Sequence, residues 1–441
     1  MASRSRAGDP AWPDRFRLAL DHAAAARGDG RVIACGFTGN VDRVAALDGP
    51  LLAALLAGHG PFPGRDPVVR AGTVDELLAG IVQCVRSGRG IDLPVEDPAV
   101  QQWLLRRAPG RSQVGGTGAQ AAVTLDRLGF PALLHLTGRA PEQIAALGEG
   151  RLLSVAAGDG LLPADRAARP GDPVMWHVAL EFAAGVPIPD AAGGGAAPAG
   201  DRVIVSHDPV NADFRIDPAF AGEVAAAGSR IPAVLISGFS QVVDPACLGR
   251  VLADAADVVG EWKRRNPGLL VHLELGAMPR ADMLREVLGA LAPLVSSIGL
   301  NEDELRDLAR SPRERGPFGW PQRASALLHL GERLPTPRLG LHTRDGCLSL
   351  TTGDPAAEER ALLFGALAAA ARVRLARFPT IEDCRETLAA ASIRPLPVVP
   401  AIAGGNRAMV VVPGLAVAPE AASVGLGDTF TGAVLASLSA P

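Results

Sequence analysis

The chain has 441 residues, more than one compact core usually holds, so one large domain carrying a lid, or two domains, is expected. It is 48% hydrophobic and 20% charged with a formal net charge of -4, which excludes a disordered chain and a strong nucleic-acid or membrane-directed field. Five scattered cysteines without a C-x-x-C pair exclude zinc-ribbon and thioredoxin-type chemistry and suit a reducing cytoplasm, the expected compartment.

The N-terminal stretch Met1 to Pro13 is polar and lacks an apolar signal core. Arg31 to Gly36 reads as a short apolar strand ending in glycine, followed by a polar loop, Phe37 to Asp42. A first strand of an α/β sheet presents a ligand at that point. Asn40 and Asp42 there can bond sugar hydroxyls, and can equally form an Asx-turn. Val74 to Arg86 has helical apolar spacing in Leu77, Leu78, Ile81, Val82 and Val85. Gly115-Gly-Thr-Gly-Ala-Gln120 opens a second helix that closes at Gly129, and Gln120 has polar reach toward a substrate from that helix start. Pro187 to Gly200 is rich in Ala, Gly and Pro and reads as a mobile loop.

Val203 to Val205, Val234 to Ser237, Leu269 to Glu274 and Val295 to Ile298 are short buried strands with helical stretches between them, such as Ala281 to Leu291. That alternation predicts an α/β fold with a mostly parallel sheet covered on both faces. His272 and Glu274 share one face of a strand at its carboxyl end. The carboxylate there can serve a metal or a salt bridge, and the histidine can make a core hydrogen bond. Asn301 and Glu304 lie three apart at the start of the next helix. They suit water-mediated Mg²⁺ binding beside phosphates, or form an acidic helix start. Lys263, the only lysine in the chain, lies in Glu261-Trp-Lys-Arg-Arg265 and reads as a solvated helix end. A G-x-x-x-x-G-K-[ST] phosphate loop is thereby excluded, and phosphoryl chemistry must use backbone amides, arginine and metal. Arg338 to Thr343 and Cys347 to Leu350 are later strands. The apolar run Ala361 to Ala371 is short of the roughly 20 residues a bilayer requires and reads as a buried helix.

The segment richest in chemistry is Val424-Gly-Leu-Gly-Asp-Thr-Phe-Thr-Gly-Ala433. Two glycines let the backbone turn and bare its N–H groups, and a helix beginning there adds positive potential. Together they make an anion hole for a transferring phosphoryl group, with Asp428 beside it able to take a proton from an attacking hydroxyl. An N-cap aspartate after a glycine turn is the bland alternative.

In this order, Gly39-Asn-Val-Asp42, Val114-Gly-Gly116, His177 to Phe182, Arg202-Val-Ile204, Ser237-Gly-Phe239, His272-x-Glu274, Gly299 to Glu304, Leu341-His-Thr343 and Gly425-Leu-Gly-Asp428 resemble the ADP-dependent glucokinase and phosphofructokinase family, from about Gly36 to the end. The resemblance implies a ribokinase-like three-layer α/β/α core, residues 1-36, 112-168 and 201-441. A smaller α+β lid, 37-111 and 169-200, would close over a sugar. It implies Asp428 as general base, Gly425, Leu426 and Gly427 as the anion hole with Arg202 approaching phosphates, and Glu274, Glu304 and Asp428 serving Mg²⁺ or another divalent cation. Asn301, His342, Thr343 and Val417 would line the nucleotide site, with ADP as phosphoryl donor. Asp42, Asp92, Gly116, Thr117 and His177 would meet the sugar. No nucleic-acid or membrane partner is implied, and a monomer is the default. Two positions depart from the pattern: Thr117 stands where the family has Gln, and Asp92 where glucose-using members have Glu. Each shortens a side chain in the sugar pocket. A sugar- or nucleotide-binding sensor of the same fold, and an ATP-dependent sugar or nucleoside kinase, are the alternative functions.

Overall fold

The computed structural model describes residues 11–60, 62, 68–158, 160–278, 280–309, 318–396, 399, 406–419 and 424–440. Most of the polar stretch Met1 to Pro13 lies outside them. In chain order the strands are β1 (Ile33–Cys35), β2 (Asn40–Ala46), β3 (Ile91–Pro94), β4 (Arg111–Gly115), β5 (Ala132–Leu134), β6 (Leu153–Ala156), β7 (Leu161–Pro163), β8 (Trp176–Phe182), β9 (Asp201–Ser206), β10 (Ala233–Ile236), β11 (Leu270–Glu274), β12 (Ser297–Leu300), β13 (Arg338–His342), β14 (Gly346–Thr351), β15 (Ser392–Ile393), β16 (Ala408–Pro413) and β17 (Leu415–Ala416). The helices are α1 (Trp12–Ala25), α2 (Gly49–Leu56), α3 (Val74–Ser87), α4 (Pro98–Leu105), α5 (Thr117–Leu128), α6 (Pro141–Leu147), α7 (Pro218–Ala226), α8 (Pro245–Arg265), α9 (Ala281–Leu291), α10 (Glu302–Ala309), α11 (Trp320–Arg333), α12 (Pro355–Leu375), α13 (Ile381–Ala390) and α14 (Leu426–Leu438).

Ten strands make the large sheet, in the order β16-β14-β13-β12-β11-β10-β1-β5-β6-β7. The run from β13 through β6 is parallel, and β14, β16 and β7 are antiparallel. Strand side chains alternate between faces, and here both faces are buried. Ile33, Cys35 and Leu134 pack under helices α1, α5, α12 and α14, with Phe16, Leu125, Phe364 and Leu435. Ala34, Leu133 and Val234 pack under α7, α8 and α9, with Phe220, Trp262 and Leu288. Each such fully buried side chain contributes roughly 1.5–3 kcal/mol of transfer free energy. The result is a three-layer core. The apolar run Ala361 to Ala371 lies buried in α12. Among the described residues no helix is long and apolar enough to cross a membrane.

The smaller sheet has the order β3-β9-β8-β2-β4. Its outer face, with Val178, Leu180, Val203 and Val205, buries against α2, α3 and α4 through Leu52, Leu77, Ile81 and Leu104. The inner face carries Asn40, Asp42 and Val44 of β2, His177 and Ala179 of β8, and Ile204 of β9, set by the cross-strand register. Val44 and Ala179, with Ile204, touch Val424 at the mouth of α14.

Four expectations change. Residues 112–115 and 201–206, assigned to the core by sequence, pair as β4 and β9 in the smaller sheet. The alternation of buried Val203 and Val205 with polar Arg202 and Ser206 marks a half-buried strand rather than a central one. Asn40 and Asp42 lie on a strand, because β2 is paired on both sides, by β4 and β8. The Gly-rich segment Pro187 to Gly200 is closed rather than loose. Ile188 N–H bonds Gly195 O at 2.9 Å and Ala197 N–H bonds Val186 O at 2.9 Å, while Ile188, Ala192 and Ala197 are buried in the core beside the smaller sheet. Lys263 is not a solvated end: Nζ donates to Pro267 O at 3.1 Å, Leu269 O at 2.9 Å and Ser296 Oγ at 3.3 Å, stapling the turn into β11.

Candidate active site

The start of α14 is shaped by Gly425, whose φ of 75° lies in the left-handed region. A Cβ there would come 1.8 Å from Gln120 Oε1, so only glycine fits. Helical bonding begins with Thr429 N–H to Gly425 O at 3.0 Å. The amides of Leu426, Gly427 and Asp428 belong to the first turn, which has no intrahelical acceptor. Asp428 lies among them, half-buried, and accepts a hydrogen bond from the Thr117 side chain. Burial pushes its pKa up to about 6. The Thr117 bond and the charge of Arg372 oppose that rise, and Glu274 and Asp42 add to it. A carboxylate in that range is a competent base near neutral pH.

The carboxyl ends of β11, β12 and β13 bring their polar residues to the same edge. Glu274 ends β11 and is buried. Its Oε1 meets His342 Nε2 at 2.9 Å, and its Oε2 meets His272 Nε2 at 2.9 Å and Thr431 Oγ1 at 2.9 Å. Burial alone would raise the Glu274 pKa, but the bonds from His272 and His342 and the charge of His342 hold it well below the usual carboxylate range. Behind it runs a buried chain: Glu358 to Arg338, Arg338 Nη1 to Ser297 Oγ at 2.9 Å, and Ser297 Oγ to His272 Nδ1 at 2.8 Å. Arg338 can only donate, so Ser297 accepts from it and turns its own proton to Nδ1. Burial lowers the His272 pKa, and the neutral ring then donates through Nε2 to Glu274.

Asn301 caps α10. Its backbone N–H and Nδ2 donate to Glu304 at 2.8 and 2.9 Å, and its Oδ1 accepts from the amides of Asp303 and Glu304. This is a reciprocal cap of the kind that fixes a helix start. Burial pushes the Glu304 carboxyl up to about 8; the Asn301 bond opposes that and nearby Glu274 adds to it. His342 joins these groups. Burial disfavours its charged form, yet the Glu274 bond and the carboxylates of Glu274, Glu304 and Asp428 raise its pKa. Of the three, Glu274 is in direct contact with the ring, at 2.9 Å. A Cβ on Gly427 would come 3.0 Å from His342 Cε1, which puts the ring against the first turn of α14.

Across the cleft, Asp42 is buried and accepts from Asn40 Nδ2 at 2.6 Å. Burial pushes its pKa up against the pull of His177, Asn40 and Arg372. His177, also buried, bonds Asp208 through Nε2 at 2.9 Å. Burial opposes its charge, but Asp208, Asp42 and Asp92 outweigh that and raise its pKa. Asp92 is exposed and lies beside Ile204 on the neighbouring strand. Asp208 is steadied by the buried Asn211, whose Nδ2 also reaches Gly39 O at 3.1 Å at the entry to β2. Gly116 caps α5 with φ 84°, and a Cβ there would meet Gly39 Cα and Thr38 O at 2.9 Å.

Several expected contact residues have protein partners in this structure. Thr117, read as a sugar contact, bonds Asp428. Gln120, read the same way, is buried and accepts from Arg372 Nη2 at 3.0 Å. Arg202, expected at nucleotide phosphates, lies on β9 of the smaller sheet, half-exposed, 3.9 Å from Asp201. Thr343 shapes the β13–β14 turn through Gly346 O at 2.9 Å. Val417 follows β17 and packs half-buried on the core. Sequence reasoning missed Arg372, Asp208, Ser297 and Arg338. Arg372 had a signal: it falls on the α12 face of Ala361, Gly365 and Ala368, where a charge among small apolar residues needs a reason.

A divalent cation fits the edge in one way only. Among the described residues no three His, Cys, Asp or Glu side chains form a cage. Both oxygens of Glu274 and of Glu304 already accept from protein donors. A hard cation would be held chiefly by phosphate and water, with these carboxylates outside, which is how Mg²⁺ usually binds beside nucleotides.

Residues 31–437 match the ADP-specific Phosphofructokinase/Glucokinase conserved region. The ADP-dependent glucose/glucosamine kinase of Pyrococcus furiosus is 24% identical over 402 residues, covering 86% of this chain and 85% of its own. The ADP-specific phosphofructokinase of the same organism is 25% identical over 450 residues, covering 91% and 96%. A solved ADP-dependent kinase in complex with fructose-6-phosphate and ADPbetaS shares the fold, with a TM-score of 0.82 at 16% identity over 98% of this chain and 99% of that one. This chain, with its ribokinase-like fold, belongs to the ADP-specific phosphofructokinase/glucokinase family of phosphotransferases with an alcohol group as acceptor.

Proposed function

We propose that this chain transfers the terminal phosphoryl group of ADP to a hydroxyl of an unphosphorylated hexose, with Asp428 as the general base. The observation that carries this reading is the contact of the lid face with Val424, which sets Asp42 and His177 opposite the first turn of α14. A hexose against that face has its hydroxyls near Asp42, Asp92 and His177. Asp428, with a pKa near 6, takes the proton of the attacking hydroxyl. The first amides of α14 receive the negative charge of the group in transfer. Mg²⁺, outside Glu274 and Glu304, supplies charge neutralisation on the phosphates when bound. The chain Arg338–Ser297–His272–Glu274 holds Glu274 ionised and in one orientation.

Charge supports this acceptor class. Asp42 and Asp92 accept hydrogen bonds from hydroxyls or an amine, and they repel a phosphate brought to the same face. The reading is tested by incubating the protein and Mg²⁺ with ADP or ATP and with D-glucose, D-glucosamine or fructose 6-phosphate. We expect phosphorylated glucose or glucosamine with ADP. Product only with fructose 6-phosphate would overturn the acceptor, product only with ATP the donor, and no product in any pairing the enzyme reading.

A further inference from the structure

Two arginines are buried near the site, and they are treated differently by the fold. Arg338 is paired with Glu358, at 2.8 Å from Nη2 to Oε1. Arg372 is buried more deeply, at 2% exposed against 6% for Arg338, and has no ion-pair partner among the described residues. Its Nη2 donates to Gln120 Oε1 at 3.0 Å and its Nε reaches Val424 O at 3.4 Å. Its guanidinium carbon stacks 3.7 Å from the centroid of the Phe378 ring. Its Nη1 is buried and has no hydrogen-bond partner among the described residues.

A buried cation without a carboxylate is costly, so something must offset it. Part of the compensation is local: Arg372 occupies the last turn of α12, where the helix dipole favours positive charge. The Phe378 face adds a cation–π contact. The carboxylates whose fields reach it are Asp428 and Asp42, the base and the acceptor-side acid. Its place relative to the anion hole is given by Gly425. A Cβ on that glycine would come 3.0 Å from Arg372 Nη2 and 1.8 Å from Gln120 Oε1. The turn that bares the α14 amides therefore rests on the Arg372–Gln120 pair.

We propose that Arg372 is a positioning residue for phosphoryl transfer: through Gln120 and the Val424 carbonyl it fixes the Gly425 turn, and its unbalanced charge underlies the group in transfer. The inference rests on the kinase reading above. That reading brings negative charge to a buried arginine that has no ion-pair partner among the described residues.

The test uses the full chain with Mg²⁺, ADP and D-glucose or D-glucosamine, and compares wild type with Arg372→Ala, Arg372→Lys and Gln120→Leu. Circular dichroism establishes that each variant is folded. Arg372→Ala should lower kcat by about 100-fold while KM for the sugar stays within about threefold. Arg372→Lys, which keeps the charge but not the fork, should recover part of the loss. Added guanidinium at concentrations well below denaturing should raise kcat of Arg372→Ala, an effect that a merely structural role would not produce. Gln120→Leu keeps the cation and removes its acceptor, and should lower kcat about tenfold at unchanged KM. If Arg372→Ala does not fold, Gln120→Leu decides. A folded Arg372→Ala with wild-type kcat, a loss that guanidinium leaves untouched, or a fully active Gln120→Leu overturns the proposal. Wild type inactive with both sugars overturns the kinase reading and this inference with it, an outcome distinct from an active wild type beside active variants.

Discussion

The carboxyl edge of the large sheet and the inner face of the small sheet meet at Val424, but they are finished to different degrees. On the edge, Glu274 accepts from His272, His342 and Thr431, and Glu304 is clamped by Asn301. A continuous buried chain extends back to Glu358. On the small-sheet face, Asp92 is exposed and the Arg202 side chain lies 3.9 Å from its neighbour Asp201. Asp42 keeps one internal donor, Asn40. A fully satisfied polar network is rigid and preorganised, whereas under-satisfied groups in a cleft await a ligand. On the proposed reading, the edge handles charge at the phosphoryl group. On the same reading, the small-sheet face chooses the acceptor.

That division can be broken at either side. Gly425→Ala strikes the edge, since the added Cβ would fall 1.8 Å from Gln120 Oε1 at a φ of 75°. Loss of the anion-hole geometry should cost ~100-fold or more in kcat, measured under saturating ADP and sugar. Near-normal kcat would mean the α14 amides do not hold the transferring group. Asp42→Asn and Asp92→Ala strike the lid. Each should raise the sugar KM by ~10-fold or more with the KM for ADP unchanged, because a hydrogen bond involving a charged group is worth about 1.5–3 kcal/mol. A change in the ADP constant instead would erase the division of labour.

The pH profile sharpens the edge side. Asp428 must be ionised to accept a proton, and its pKa stands at about 6. The expected kcat is level above that value and falls about tenfold per pH unit well below it. A limb lying near pH 4 would show that burial does not tune this carboxylate. The smallest effect is expected at Lys263, which serves only the turn into β11. Lys263→Met should leave kcat within about twofold and lower the melting temperature by a few degrees. A large drop in kcat would reopen lysine chemistry.

Much of this was legible in the sequence because it depends on local pattern. The strands from β10 to β14 are short apolar runs, and the Gly425 to Asp428 turn is a local device, so both read directly. His272 with Glu274, and Asn301 with Glu304, are close in sequence, and their pairing across strands follows from the parallel register. What could not be read depends on distant pairing. β4 and β9 leave the expected core because their partners are β2 and β8, fixed by tertiary packing rather than local preference. Gln120 and Thr117 look like ligand contacts in isolation. In the fold, the approach of α5 to α14 turns one toward Arg372 and the other toward Asp428. Arg372 lies 252 positions from Gln120, and no spacing rule joins them.

The proton-accepting role of Asp428 is the claim on which the mechanism turns, and the Asp428→Asn variant addresses it most directly. ADP binding by calorimetry and phosphorylated glucose or glucosamine formed per AMP released should be measured together for wild type and variant. The predicted result is one phosphorylated sugar per AMP in wild type, and a kcat lower by ~100- to 10,000-fold in the variant with ADP affinity retained. A variant that keeps wild-type turnover while binding ADP equally well would contradict the assignment.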